Sequence, residues 1–409
     1  MVKRIVAIGF IVVCTSIAWA ILGSTIFYRT YSPDAQQLKA RVASSWGTSQ
    51  EQTPPTAGYE VVSHKQVLGG TKDGVPLVRE VEERKSNLLP IERSRVNVAL
   101  SLDYRRKGLL WYSTYRVDFS AAYEFSNPSD QPQQVTFRMK LPAEQAVYDN
   151  LTFALNDVPL AVSNEKNEAI ATATVAPKET AALKIGYHSQ GLDNWNYSFG
   201  DGVTQVKDFQ LQLTTNFPSF DLPENTLSPT EERKQPSGWE LTWNYKSLVS
   251  GYHVGITLPQ KLQPGPLAGR ISYFAPVSLL FFFFVLFVMT TVRGIELHPM
   301  NYFFLAGAFF SFHLLMAYLV DHISIHVAFV VCSAISIFLL VSYLRLVAGM
   351  RRAALEAGLA QFVFLVLFSY AFFFEGFTGL AITIGAILTL FIAMQTTARI
   401  HWAEKFATR

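Results

Sequence analysis

Six apolar runs, each long enough to cross a bilayer, leave this chain few folds to choose from. They lie at about 5–27, 271–292, 300–320, 324–345, 356–375 and 377–397. A hydrocarbon core takes roughly 17–25 helical residues. Unpaired backbone groups cost several kcal/mol each inside it, so such runs are read as helices. Short connectors gather the last five into one bundle, while the first stands apart near the N-terminus. Between them the composition changes. Residues 28–269 carry 24 Lys/Arg and 26 Asp/Glu, whereas everything from 270 onward carries only 8 and 5. The net charge of +3 forms neither a patch nor a stripe, which argues against a nucleic-acid partner. The lipid bilayer is the partner this composition does imply.

The first run raises the question of a cleaved leader, because Ala18-Trp19-Ala20 resembles a small-x-small cleavage site. The apolar run continues through Ile21, Leu22, Ile26 and Phe27, too far for a signal h-region, so it is read as an uncleaved anchor. Val-Val before Cys14 does not fit a lipidation site. Orientation follows from basic residues, which stay on the cytoplasmic side. With Lys3 and Arg4 inside, six crossings also place Arg293, Arg345, Arg351, Arg352, Arg399, Lys405 and Arg409 inside. The short outer turns around Asp321–Ile323 and Glu375–Gly376 hold no Lys or Arg. Residues 28–270 are then expected outside the cytoplasm, and both termini within it. Both cysteines, Cys14 and Cys332, fall in the spans, so the outer domain is expected to be stable without disulfides.

That domain reads as all-β. Tyr115, Val117, Phe119, Ala121, Tyr123 and Phe125 share one face of a period-two run, with Arg116, Asp118, Ser120 and Glu124 largely on the other. After "NPSDQP", Val135, Phe137, Met139 and Leu141 alternate in the same way, and the pair reads as an antiparallel hairpin. Similar runs at 96–102, 151–155, 183–187, 209–213, 239–245 and 254–258 point to a sandwich-like domain. Residues 33–46 read as one helix, and "EQTPPTAG" at 51–58 as a break before a small β element. The expected fold class is therefore an α+β membrane protein. It comprises a transmembrane anchor (1–27), a helix, linker and small β element (28–94), an extracytoplasmic all-β sandwich-like domain (95–270) and a bundle of five transmembrane helices with a short basic tail (271–409).

Few residues in the outer domain suggest chemistry. "GLDNWNYSFGDG" at 191–202 sets Trp195, Tyr197 and Phe199 among Asp193 and Asp201, a composition that can bind a sugar or a cation. A loop whose aromatic side chains tuck into the end of a sandwich is the commoner case and the preferred one. His64, His188 and His253 lack metal-ligand spacing, and no nucleophile–base or phosphate-cradling motif is present. No metal, no cofactor and no catalytic residue is expected. Asn150-Leu-Thr and Asn196-Tyr-Ser match glycosylation sequons, which matter only in a eukaryotic secretory pathway.

The stretch "HPMNYFFLAGAFFSFHLLMAYLVDHISIHVAF", 298–329, puts four histidines and an aspartate in or beside hydrocarbon. His298-Pro299 falls at a helix start, where Pro is well tolerated. Asp321-His322 forms the turn between the third and fourth spans, and His326 lies one helical turn into the fourth. Only His313 sits inside a span. A proton relay would need an ionisable partner at its depth, with Asp321 or His326 as candidates. Packing and turn formation are the preferred roles. Ala306-Gly307-Ala308 and Ala381/Gly385 offer close-packing surfaces, and the bundle reads as packed.

His298, Pro299, Tyr302, Gly307, Asp321, His322 and Ile323 in this stretch resemble the pattern of the inner-membrane CreD family. The ending "FSYAFFFEG…LTLFIAMQTTARIHW" is similar to that family's tail. Asp321 stands where the family pattern has Glu, and Ser369 where an acid precedes the Tyr. The resemblance implies a role in bacterial envelope integrity and in responses to envelope or β-lactam stress, without implying a reaction. A non-catalytic inner-membrane factor is expected, its periplasmic β domain contacting an unknown periplasmic or inner-membrane protein. The alternative is a small-solute or ion transporter, or a channel-like protein, with a polar site near His313.

Overall fold

Alternation of apolar and polar side chains along Leu110–Ser126 builds the longest inward face of the β unit. Tyr115, Val117, Phe119, Tyr123 and Phe125 are at most 1% exposed. The computed structural model describes residues 2–31, 35–72, 75–200, 204–348, 351–374 and 376–398. Asp201 and Gly202, Glu375, and Arg399, Trp402, Lys405 and Arg409 lie outside the described residues. The chain divides into a β unit, Leu38–Lys107 with Trp111–Lys261, and a helical unit formed by Met1–Gln37, Gly108–Leu110 and Leu262–Arg409.

In the β unit an eight-stranded and a five-stranded sheet enclose one apolar core. The strand Leu110–Ser126 lies in the larger sheet, paired antiparallel with Thr180–Leu192. Gln133–Lys140 lies in the smaller sheet, paired antiparallel with Glu168–Val175. The hairpin expected from these two strands is therefore absent. They form an arch, facing each other across the core, and Phe125 meets Phe137 edge-on at 5.6 Å. Burial explains the difference. Val135, Phe137 and Met139 are fully covered, as is the inward face of Leu110–Ser126, and each apolar face covers the other. The buried amide of Asn127 holds the connector by donating to the carbonyls of Gln131, Val175 and Ala176 at 3.3, 3.3 and 2.9 Å.

The small sheet also carries an arm. Thr56–Lys72 and Val75–Leu89 pair with one another from Ala57↔Leu89 to Lys72↔Val75. Among the described residues, Thr56–Gly58 are the part of the arm that pairs with the rest of the sheet, against Arg138–Thr136. Beyond Gly58 the arm is a two-stranded ribbon. A third, three-stranded sheet joins Gln50–Gln52, Asn194–Tyr197 and Val254–Thr257. A helix occupies Ala35–Trp46.

The helices in chain order are α1 (Val2–Tyr31), α2 (Ala35–Trp46), α3 (Pro264–Tyr273), α4 (Ala275–Val292), α5 (Pro299–Leu319), α6 (Ile325–Ala348), α7 (Arg351–Gln361), α8 (Phe368–Tyr370) and α9 (Thr378–Thr397). A wide π turn over Phe362–Leu367 links α7 to α8, and a 3-10 turn over Ala371–Phe373 follows. Among the described residues, six helical stretches are long and apolar enough to cross a membrane. They match the six runs, with one correction. The run at 271–292 is split at Phe274, so that Ile271–Tyr273 end α3 and the crossing begins at Ala275. Pro276, in the first turn of α4, lacks the N–H an unbroken helix would need.

Candidate functional site

His298 and Pro299 start α5 as their chemistry dictates. His298 is extended at the N-cap, and its Nδ1 accepts from the Met300 N–H at 3.3 Å, while Pro299 takes the first turn, where no N–H is needed. Tyr302 is fully buried, edge-on to Phe283 at 5.7 Å. At the far end the chain turns as the N–H groups of His322 and Ile323 both donate to the Leu319 carbonyl at 3.1 Å. The 21 residues of α5 separate His298 from Asp321, about 30 Å at 1.5 Å per residue. One site cannot contain both. His326 is exposed, its ring 5.3 Å from Phe373. Gly307 is exposed as well, and a Cβ there would meet nothing within 4 Å.

The expected small-residue contacts are corrected at the glycines alone, since Ala306 is fully buried and the Ala308 carbonyl accepts from Ser336 of α6. Gly307 and Gly385 both face open space, whereas a Cβ on Gly358 of α7 would come within 2.7 Å of the Val341 side chain. Close helix approach is made at α6–α7, at Gly358 of the Ala354/Gly358 pair.

Among the described residues of the helical unit, His313 is the fully buried histidine, and α1, α3 and α5 meet around it. Its ring lies 4.9 Å from that of Phe312, 5.7 Å from Trp19 and 5.9 Å from Phe309. Nδ1 faces the Ser272 hydroxyl at 3.5 Å. Trp19 Nε1 donates to the Ser272 carbonyl at 3.1 Å. His313 Nε2 has no hydrogen-bond partner among the described residues. No group of three His, Cys, Asp or Glu able to hold a metal occurs among those residues. Trp19 and Ser272 escaped the sequence reading. A tryptophan midway along an anchor was the available signal, since a buried indole N–H needs an acceptor.

Two further polar contacts tie the bundle. Gln361 Nε2 donates to the Ser336 hydroxyl at 2.6 Å, which donates to the Ala308 carbonyl at 2.6 Å, linking α7, α6 and α5. The π turn frees carbonyls from the regular ladder, and the Ser278 hydroxyl of α4 donates to that of Phe364.

The bundle is not packed throughout. A cleft of about 680 Å³ lies between α4, the α7–π segment and α9. Its walls are apolar, including Phe281, Val285, Leu359, Val363 and Ile392, with Gly385 as a gap in the α9 wall. Arg293 and Glu356, an ion pair, are the charged residues in its lining. The Thr389 hydroxyl donates to the Gly385 carbonyl at 2.7 Å and that of Thr396 to Ile392 at 2.9 Å, so neither presents an unmet donor.

In the β unit the aromatic stretch is core. Trp195 and Tyr197 are at most 1% exposed, and Asp193 pairs with Lys39 at 2.6 Å. Tyr187 donates to Gln52 Oε1 at 2.7 Å, and the Tyr123 and Tyr197 hydroxyls lie 3.2 Å apart. Burial pushes the phenols of Tyr115, Tyr123, Tyr187 and Tyr197 above the ordinary tyrosine range and that of Tyr148 up to about 12, which keeps them as protonated donors.

Comparison with known proteins gives weak structural likenesses and one family. A Legionella pneumophila chain described as a candidate nutrient binding protein shares 9% identity, over 57% of this chain and 76% of that one, with a TM-score of 0.34. An M1 zinc metallopeptidase from Deinococcus radiodurans shares 11% identity over 42% of each chain, with a TM-score of 0.27. This chain thus spans well under two thirds of the peptidase, and overlaps this slight say nothing about activity. No curated protein matches the chain. The family model described as "Inner membrane protein CreD" matches residues 1–403, nearly the full length, and the chain belongs to that family.

Proposed function

We propose that this protein is a non-catalytic factor of the bacterial inner membrane that supports envelope integrity under stress, with its β unit in the periplasm contacting a protein partner. The family assignment supports the membrane setting, and the distribution of basic residues favours this orientation. The observation that carries partner contact is the arm of Thr56–Lys72 and Val75–Leu89, which hydrogen-bonds chiefly to itself and leaves Val61 and Val62 40% and 48% exposed. A lone two-stranded ribbon is marginally stable in water, and a long free edge favours strand addition by a partner. The transport reading centres on His313, which needs water or a proton donor within reach. The aromatic rings around it oppose water there, and the 680 Å³ cleft has apolar walls.

The test places a photo-crosslinking amino acid at Val61 or Val62, and at Val158 on another exposed strand, in the full chain in living cells. Under β-lactam stress, discrete protein adducts from the arm positions and none from Val158 are expected. Equal adducts at all three positions, or none at any, would remove the partner-contact reading.

A further inference from the structure

The cleft between α4, the α7–π segment and α9 has the shape and polarity of an amphiphile. We propose that it holds the acyl chain of a zwitterionic aminophospholipid whose phosphate meets Arg293 and whose ammonium meets Glu356. Along α4 the lining runs from Phe281 to Val292, about 16 Å at 1.5 Å per residue. Along α9 it runs from Ala381 to Thr396, about 22 Å on the same rise. The hydrocarbon core is about 30 Å thick and shared by two leaflets, so each chain occupies about 15 Å. The cleft thus accommodates the full depth of a chain from one leaflet, reaching past it along α9, and stops short of the whole core that a crossing partner helix would need.

Water does not fill such a space, because the walls are apolar and the threonine hydroxyls in them bond their own helix. Left empty, the walls would forfeit dispersion contacts along their length. An acyl chain restores them without asking for a polar partner. The charged end selects the head. Arg293 gives one guanidinium nitrogen to Glu356 and keeps further N–H donors, which suit a phosphate. Glu356 disfavours a purely anionic head and pairs with an ammonium. The packing of α9 agrees with a lipid at this place: Thr389 and Ala393 are its buried residues, and it relies on something other than protein for most of its contacts.

The test uses the full chain, reconstituted in vesicles of equal phosphatidylethanolamine and phosphatidylglycerol, re-extracted in detergent and weighed by native mass spectrometry. One retained phosphatidylethanolamine per chain is expected. Gly385→Phe, whose side chain would enter the cleft, should cut retention about tenfold, as should Ala381→Phe if the first variant folds poorly. Arg293→Gln should lower retention and remove the headgroup preference. Gly307→Phe, on an open face of α5, should change neither. Preferential retention of phosphatidylglycerol, equal retention in the wild type and the folded cleft-filling variants, or annular lipid only would overturn the proposal.

Discussion

The β unit and the helical unit bury their apolar side chains against different surroundings, and the contrast is sharpest between the strand Leu110–Ser126 and α9. On the strand from Tyr115 to Phe125, every second side chain is sealed in the core, and those between are Arg116, Asp118, Ser120, Ala122 and Glu124. On α9, Ile387, Leu390 and Phe391, which lie outside the cleft lining, are each at least 58% exposed. In water a surface of that size marks a docking site. In a bilayer it is the ordinary outer face of a spanning helix, and what must be satisfied inside is packing and hydrogen bonding. Apolar patterning thus identifies a core only where the solvent is known.

The largest test of this contrast is truncation. Phe119→Ala or Phe137→Ala should destabilise the β unit by roughly 3–5 kcal/mol, read by denaturant unfolding of the full chain in detergent. Phe391→Ala on α9 should leave the unfolding of both units unchanged. A similar loss at Phe391 would show that α9 is packed against protein.

Close packing gives the next largest effect. Gly358→Val should overpack α6 against α7 and cost about 1–3 kcal/mol, read as lost folded protein on detergent titration. Gly307→Ala and Gly385→Ala should be neutral, since nothing lies within 4 Å of either added Cβ. Ser336→Ala is smaller, about 0.6 kcal/mol, as expected for an interhelical hydrogen bond in a bundle. It would sharpen the comparison by giving the bundle's polar contacts a scale.

The smallest effect belongs to the β surface. Hydrogen bonds from Arg93 and Arg95 hold the Asp208 carboxyl below the ordinary carboxylate range. A carboxyl lowered on folding contributes stability above its unfolded value of about 3.9. That contribution is lost as pH falls through the lower folded value. Asp208→Asn should therefore lower β-unit stability slightly at neutral pH, where the contribution is present, flatten the acid-side dependence, and make no difference below the folded value. The pair is exposed, which keeps the effect small.

Local patterns in the sequence carried local results. Period-two alternation identified the inward faces around Phe119 and Phe137, and apolar length identified the crossings. Neither pattern carries pairing. A hairpin and an arch show the same alternation, and only the buried Asn127 amide and the facing sheet decide between them. The helix start at His298 was legible because capping is a matter of neighbouring residues. The surroundings of His313 were not, because Trp19 and Ser272 reach it from distant parts of the chain. The cleft was hidden for the same reason: its walls come from three helices, and apolar residues lining a gap read like apolar residues filling a core.

The proposed function depends on which side of the membrane the β unit occupies, and cysteine labelling reads that directly. Cys14 and Cys332 lie on the spanning helices α1 and α6, so the test is run in a chain with both changed to Ser. Single cysteines then replace Lys184 on the exposed β surface, Ser324 in the α5–α6 turn and Gly294 in the α4–α5 turn. A membrane-impermeant maleimide is added to cells with a permeabilised outer membrane and an intact inner one. The account predicts that positions 184 and 324 label at once, and that 294 labels only after the inner membrane is opened. Labelling at 294 in intact cells, with 184 and 324 protected, would put the β unit in the cytoplasm and contradict the account.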